Sequence, residues 1–247
     1  MLEWQDSGIV LSLRRHGEAG GIVSLLTRMY GRSAGYVYGA SSAKKRALFE
    51  PGNVVAAAWQ AKAQGQLGSF ALEMEKSPAA DVMDDALKLT ALQSACALAD
   101  ATLPEGEKHE GVFDATLALL SSFSGEVWPA AYIYWEIGLL RELGFGLDLS
   151  KCAATGTTEN LIYVSPKSGS AVSDAAGAIY KEKLLRLPSF LRGEGGFTDA
   201  DILDGLKMTG HFLLHRVFSE KHTDLPEPRL RLEEKYANLA FSALETA

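Results

Sequence analysis

Only two cysteines occur in 247 residues, Cys96 and Cys152, and neither belongs to a CxxC pair. This excludes a disulfide framework and a self-sufficient zinc site. No apolar run approaches the roughly 20 residues that a membrane-spanning helix needs, and Trp4-Gln5-Asp6 interrupts any hydrophobic segment at the amino terminus. Together these absences lead us to expect a cytoplasmic protein with no membrane attachment. The nucleotide-phosphate signature GxxxxGK followed by Ser or Thr is missing, as is the dinucleotide fingerprint GxGxxG, and the match to the nucleophile elbow GxSxG at Gly31 to Gly35 falls in a stretch that reads as a strand, not at a strand-to-helix turn. Nucleotide hydrolysis, dinucleotide binding and acyl transfer therefore find no support. Cations are in deficit, with 24 Lys and Arg against 31 Asp and Glu, a formal charge of −7. Taken alone, that total argues against a nucleic-acid binder, whose affinity rests on neutralising phosphates.

What is present changes the reading. Hydrophobic residues make up 47% and charged residues 22% of the chain, which is ample to bury a core. The charge is unevenly spread. Up to Lys76 there are nine Lys and Arg against six Asp and Glu, a net of +3; beyond it the counts are fifteen and twenty-five, a net of −10. The positive segment is also the one that reads as strands: Ser7 to Arg14, Gly21 to Arg28, Arg32 to Gly39, Asn53 to Lys62 and Leu67 to Met74. Five closely spaced strands around a basic turn predict an OB-fold barrel, and an SH3-like barrel meets the same pattern.

From residue 79 the period changes from two to that of a helix. Apolar spacing predicts helices over 82–100, 112–123, 129–143, 178–191 and 199–218, with a last charged helix over 229–244. Asp81, Asp84 and Asp85 read as carboxylates at a helix start, where the dipole favours them. Between Phe145 and Gly177 turn residues surround one short strand, Leu161 to Val164. The expected architecture is α+β: a five-stranded OB-fold domain over 1–78, then a helical domain over 79–247 with an insert at about 148–177.

Tyr36 and Tyr38 are two apart, so on a strand they share a face, which either stacks bases or packs inward. Lys44, Lys45 and Arg46, with Arg14, Arg15, Arg32 and Lys62, are candidates to track a phosphate backbone. Trp135, Leu139, Leu140 and Leu143 form the apolar face of one helix with Arg141 beside it; this is bundle core or a groove for an acidic, aromatic-ended peptide. His211 and His215 lie one helical turn apart as zinc ligands do, but the Glu of HExxH is missing. No cofactor is called for. Two further classes stay in view: a protein-interaction adaptor with incidental DNA affinity, and an enzyme built on His211 and His215.

The stretches DSGIVLSLRRHGEAGGIVSLLTRMYGRSAGYVYGA, KKRALFEPG and YWEIGLLRELGFGLDLSKCAATG resemble the RecO family of bacterial DNA repair proteins, and the order of parts matches over nearly the whole length. The resemblance implies an OB-fold, a helical domain and a recombination mediator without an active site. It also implies binding to single- and double-stranded DNA, strand annealing, and RecR and the acidic tail of single-stranded DNA-binding protein as partners. RecA loading onto coated strands is the implied outcome. Carried over, the backbone would lie on Lys44, Lys45 and Arg46, supported by Arg14, Arg15 and Arg32, and the tail on Trp135, Leu139 and Arg141. Many relatives carry two CxxC pairs in the insert. Here Cys152-Ala-Ala-Thr155-Gly156 keeps one sulfur and Ser173-Asp-Ala-Ala176-Gly177 none, so a zinc-free insert held by Leu161, Tyr163 and Val164 is expected.

Overall fold

Alternation along the first 76 residues produces β1 (Leu2–His16), β2 (Gly20–Thr27), β3 (Gly31–Tyr38), β4 (Val54–Ala61) and β5 (Gly68–Lys76), with the short helix α1 (Ala43–Arg46) and a 3-10 turn (Ala47–Phe49) between β3 and β4. The computed structural model describes residues 2–245, apart from the side chains of residues 43, 44, 244 and 245. The strands close into a barrel in the order β1-β2-β3-β5-β4; β1 pairs with both β2 and β4, and only the β3 to β5 pairing is parallel. A register shift between Val10 and Ser12 lets the long β1 bend from one neighbour to the other.

Inward positions fill the barrel with Val10, Val23, Leu25, Val37, Val55 and Phe70. One end is closed by rings: the cross-strand pair Trp4 and Trp59 stacks at 5.6 Å, and Trp4 stacks on Tyr30 at 4.4 Å. Glycine is required where these rings cross backbone. A Cβ on Gly68 would sit 2.2 Å from the Trp59 ring, and one on Gly35 would sit 2.4 Å from Phe70.

The first compact unit runs from Met1 to Gly125 and so includes α2 (Pro78–Val82), α3 (Ala86–Thr102) and α4 (Glu110–Ser122) as well as the barrel. Asp85 caps α3, accepting from the backbone N–H groups of Leu87 and Lys88 at 3.0 Å, which is the dipole role that the acidic cluster suggested. The buried face of α3, with Leu92, Cys96 and Leu98, packs beside β1 and β2. Burial, then the charge of Asp100, pushes the Cys96 thiol up to about 12, so it stays a neutral core side chain.

Asp100 joins this helix to the barrel wall. Its carboxylate accepts from Ser12 Oγ at 2.7 Å and Ser24 Oγ at 2.6 Å and faces the Arg32 guanidinium at 3.5 Å. Replacing Asp100 with Ala strands two hydroxyls and a half-buried cation. We expect a loss of about 2 kcal/mol, read as a lower urea midpoint at unchanged slope.

The second compact unit, Glu126–Ala247, contains α5 (Trp128–Glu142), β6 (Leu161–Val164), β7 (Ala171–Ser173), α6 (Asp174–Gly177), β8 (Leu185–Arg186), α7 (Asp199–Phe212) and α8 (Glu227–Glu245). Two sequence expectations need correction here. The helix predicted over 178–191 is instead a 3-10 turn (Ala178–Lys183), the strand β8 and a second 3-10 turn (Ser189–Arg192). The single expected strand is the centre of a three-stranded sheet in the order β7-β6-β8. Leu185-Arg186 is too short for any period to show, and its partner on β6 lies more than twenty residues back. Helix α7 starts at a reciprocal cap, with Thr198 and Asp201 bonding each other's backbone N–H, and continues as a π-helical turn (Leu213–Phe218). Among the described residues no helix is long and apolar enough to cross a membrane.

Candidate nucleic-acid interface

Along β3 the residues Ser33, Gly35 and Val37 are buried, which turns Arg32, Ala34, Tyr36 and Tyr38 outward. The two tyrosines therefore do not fill the barrel. Tyr36 lies across β2, where only glycine fits: a Cβ on Gly20 would be 1.8 Å from its hydroxyl oxygen. Its ring meets Tyr38 edge-on at 4.8 Å and His16 at 6.2 Å. Tyr36 is thus half-buried and fixed, while Tyr38 is 71% exposed at the end of the strand.

Register sets the cations beside these rings. Arg14 pairs with Ile22, and Ile22 with Tyr36, so Arg14 and Tyr36 flank one outward position on β2. Arg15, next along β1, has the opposite parity and reaches the barrel mouth. There it lines a cleft of about 390 Å³ with Arg46, over a floor of Leu13, Ala40 and Phe49. Glu50 shares the cleft, 4.0 Å from Arg46, whose side chain is still 81% exposed. Lys45 Nζ donates to the Tyr38 carbonyl at 3.3 Å, which ties the basic turn to the aromatic strand end. The Lys44 side chain lies outside the described residues. One rim thus gathers Arg14, Arg15, Lys45, Arg46, Tyr36 and Tyr38.

Arg32 is placed elsewhere. Its Nε donates to the Leu103 carbonyl at 2.7 Å, its guanidinium faces Asp100, and its own carbonyl accepts from Gly106, so it braces the segment after α3 against β3. Lys62 is exposed in the turn between β4 and β5. In the second unit Trp135 and Leu139 are only 4% and 1% exposed, whereas Arg141 is exposed; the three do not present one surface.

Two features escaped the sequence reading. His16 joins the aromatic patch through its pairing with Gly20 opposite Tyr38. Trp4 and Trp59, far apart in the chain, line a cleft of about 560 Å³ that also touches Tyr38. No local pattern marks either, because both depend on strand register.

In the insert, Cys152 Sγ accepts from the backbone N–H of Ser173 at 3.3 Å and from its hydroxyl at 3.5 Å. Burial pushes this thiol up, but hydrogen bonds from Ser173, Thr155 and Ala154 outweigh it and hold the thiol near about 6. Leu161, Tyr163 and Val164 are buried, and the Tyr163 ring packs against Gly177, where a Cβ would sit 2.5 Å from it. Among the described residues no three His, Cys, Asp or Glu side chains gather to hold a metal ion.

An amino-terminal closed barrel with a cationic, aromatic rim, followed by a helical unit with a small sheet, defines a mixed α+β protein whose most distinctive surface is that rim. Its relatives give the class a name. The chain belongs to the RecO family: the family model described as Recombination protein O N terminal matches residues 1–76, and Recombination protein O C terminal matches residues 83–226. DNA repair protein RecO of Rhodospirillum centenum is 51% identical over 237 residues, covering 95% of each chain. The proteins of the same name from Caulobacter vibrioides and Rhodopseudomonas palustris BisB5 are 48% and 47% identical, over 96% and 90% of this chain and 95% and 92% of theirs.

Proposed function

We propose that this chain is a DNA repair and recombination mediator with no reaction of its own. It binds single- and double-stranded DNA at the barrel rim and promotes annealing of complementary strands. With RecR, it helps load RecA onto DNA coated by single-stranded DNA-binding protein. The observation that carries this reading is the convergence of four cations and two outward tyrosines on one rim of a barrel in an otherwise acidic chain. We read the strand order β1-β2-β3-β5-β4, closed through β1 and β4, as an OB-fold. Neutralising phosphates on two strands lowers the barrier to bringing two polyanions together, while the net charge of −7 limits clinging to any one site. Lys44, from the same turn, belongs to this proposal, as does Arg32 in a bracing role. The acidic tail of single-stranded DNA-binding protein is assigned to the helical unit, with Arg141 the exposed cation among Trp135, Leu139 and Arg141.

The insert, in this reading, folds without zinc, its former ligand positions joined by Cys152, Thr155 and Ser173 hydrogen bonds. Metal analysis of the purified chain is expected to give no stoichiometric zinc; one equivalent bound through Cys152 would refute that.

Annealing of two complementary oligonucleotides tests the main reading. Wild-type protein should accelerate it, and a variant with Arg14, Arg15, Lys45 and Arg46 changed to Ala should not. Equal acceleration by both would place the activity elsewhere. Tyr38→Ala separates stacking from charge. Loss of one stacked base costs about 1–3 kcal/mol, so affinity for oligo-dT should fall about fivefold to 150-fold while its salt slope stays the same. A changed slope with little loss would mean that the ring does not stack.

A further inference from the structure

The helical unit holds a second group of cations that the rim does not account for. After α7 the chain tightens into the π-helical turn Leu213–Phe218, a distortion that recurs at functional sites. This brings the His211 and His215 rings to 4.4 Å between centroids. His211 Nε2 faces the Pro166 carbonyl at 3.3 Å, and the Arg216 guanidinium donates to the Lys167 carbonyl. The turn between β6 and β7 is thereby clamped against the π-turn, with Lys167 exposed on it. None of Lys167, His211, His215 and Arg216 forms a salt bridge among the described residues, in a chain with a surplus of carboxylates.

We propose that His211, His215, Arg216 and Lys167 form a second, protonation-gated contact for a nucleic-acid phosphodiester, separate from the barrel rim. The inference rests on the reading of the chain as a DNA-binding protein. Two imidazoles one helical turn apart also suggest a metal, but among the described residues no third His, Cys, Asp or Glu joins them to hold one. Burial, then the charges of His215 and Arg216, pull the His211 imidazole below its ordinary value. The exposed Arg216 and Lys167 cations beside the pair attract an anion. Lys207 and Asp204 lie one and two turns back along α7, Glu220, Lys221 and His222 follow the π-turn, and from α8 Arg229 and Glu233, paired with each other, reach Gly210 beside His211. Burial pushes the Asp204 carboxyl up, opposed by the charges of Lys207 and Arg186.

The sign follows from linkage. Free His211 is neutral at and above the ordinary histidine range of about 6.5. A bound phosphate favours the charged imidazole, so binding takes up protons and affinity rises as pH falls from 7.5 to 5.5.

The test measures anisotropy of a labelled dT oligonucleotide with full-length protein at both pH values and fixed ionic strength, in an H16Q background that silences the histidine at the rim. The ratio of the two affinities is the readout. A gain of about tenfold on acidification is expected, with a salt slope steeper by about 0.7–1.4 for one or two added single-strand contacts. H211Q/H215Q should abolish most of that gain; an unchanged gain, or none in the parent, would overturn the proposal. The quadruple rim variant should bind more weakly at pH 7.5 yet keep the ratio, so a failure of the rim reading shows separately. Histidine ring NMR signals of the parent protein provide an independent measure. They should shift with oligonucleotide and not with inorganic phosphate at equal concentration; the reverse would make this a small-anion site and refute the nucleic-acid assignment.

Discussion

Arg229→Ala is expected to lower the stability of the helical unit by about 3–5 kcal/mol, measured by urea unfolding followed by far-UV circular dichroism. Arg229 and Glu136 are both completely buried and bonded through two nitrogens, at 2.5 and 3.2 Å. The same guanidinium donates to the Leu206 carbonyl at 2.6 Å and reaches Glu233 at 3.1 Å. Glu136 in turn accepts from the Tyr132 and Thr209 hydroxyls. One satisfied network thus joins α5, α7 and α8. Burial alone would pull the guanidinium down, but the charge of Glu136, with help from Tyr132 and Glu233, holds it above its ordinary value. The expected loss comes from leaving Glu136 desolvated and unpaired, more than from the pair's own attraction. The double variant E136M/R229M removes both charges and should recover most of it. Equal losses in single and double variants would show that shape, and not the stranded charge, sets the cost.

Changing Arg14, Arg15, Lys45 and Arg46 together to Ala should weaken binding to a single strand by about four-thousandfold at 50 mM salt. The figure follows from a slope of about 0.7 per contacted phosphate over four cations and the interval from 1 M down to 50 mM. The gap between wild type and variant should therefore close as salt approaches 1 M. All four side chains stand at the surface, so the fold should tolerate the change, and an unaltered urea midpoint would verify that. Arg32 is the informative contrast. Tied to Asp100 and Leu103, it should cost stability when replaced and contribute less to binding than any rim cation.

The barrel was legible because short apolar or β-branched runs between glycine, proline and charged turns mark the strands, even along β2, where burial does not alternate. The face of Tyr36 and Tyr38 was not, since alternation says that they share a side but not which side; buried Ser33, Gly35 and Val37 decide it. Arg32 counted as a free cation in the sequence because its partner Asp100 lies 68 residues away. Trp135 and Leu139 show the same limit from the other direction: an apolar helical stripe marks a core and a groove equally well, and here both side chains are buried. The last helix read as a charged surface segment, yet Arg229 in it is completely buried, paired with a carboxylate 93 positions earlier. Along 178–191 the residues suit a helix, but pairing of Leu185 and Arg186 with β6 prevails, as tertiary context often does over local preference.

Log affinity for a single-stranded oligonucleotide against log salt, compared between wild type and the single variants R15A, K45A and R46A, tests the rim most directly. Each lost contact should flatten the slope by about 0.7. Slopes identical to wild type in all three, with affinity unchanged at low salt, would contradict the rim as the DNA-binding surface.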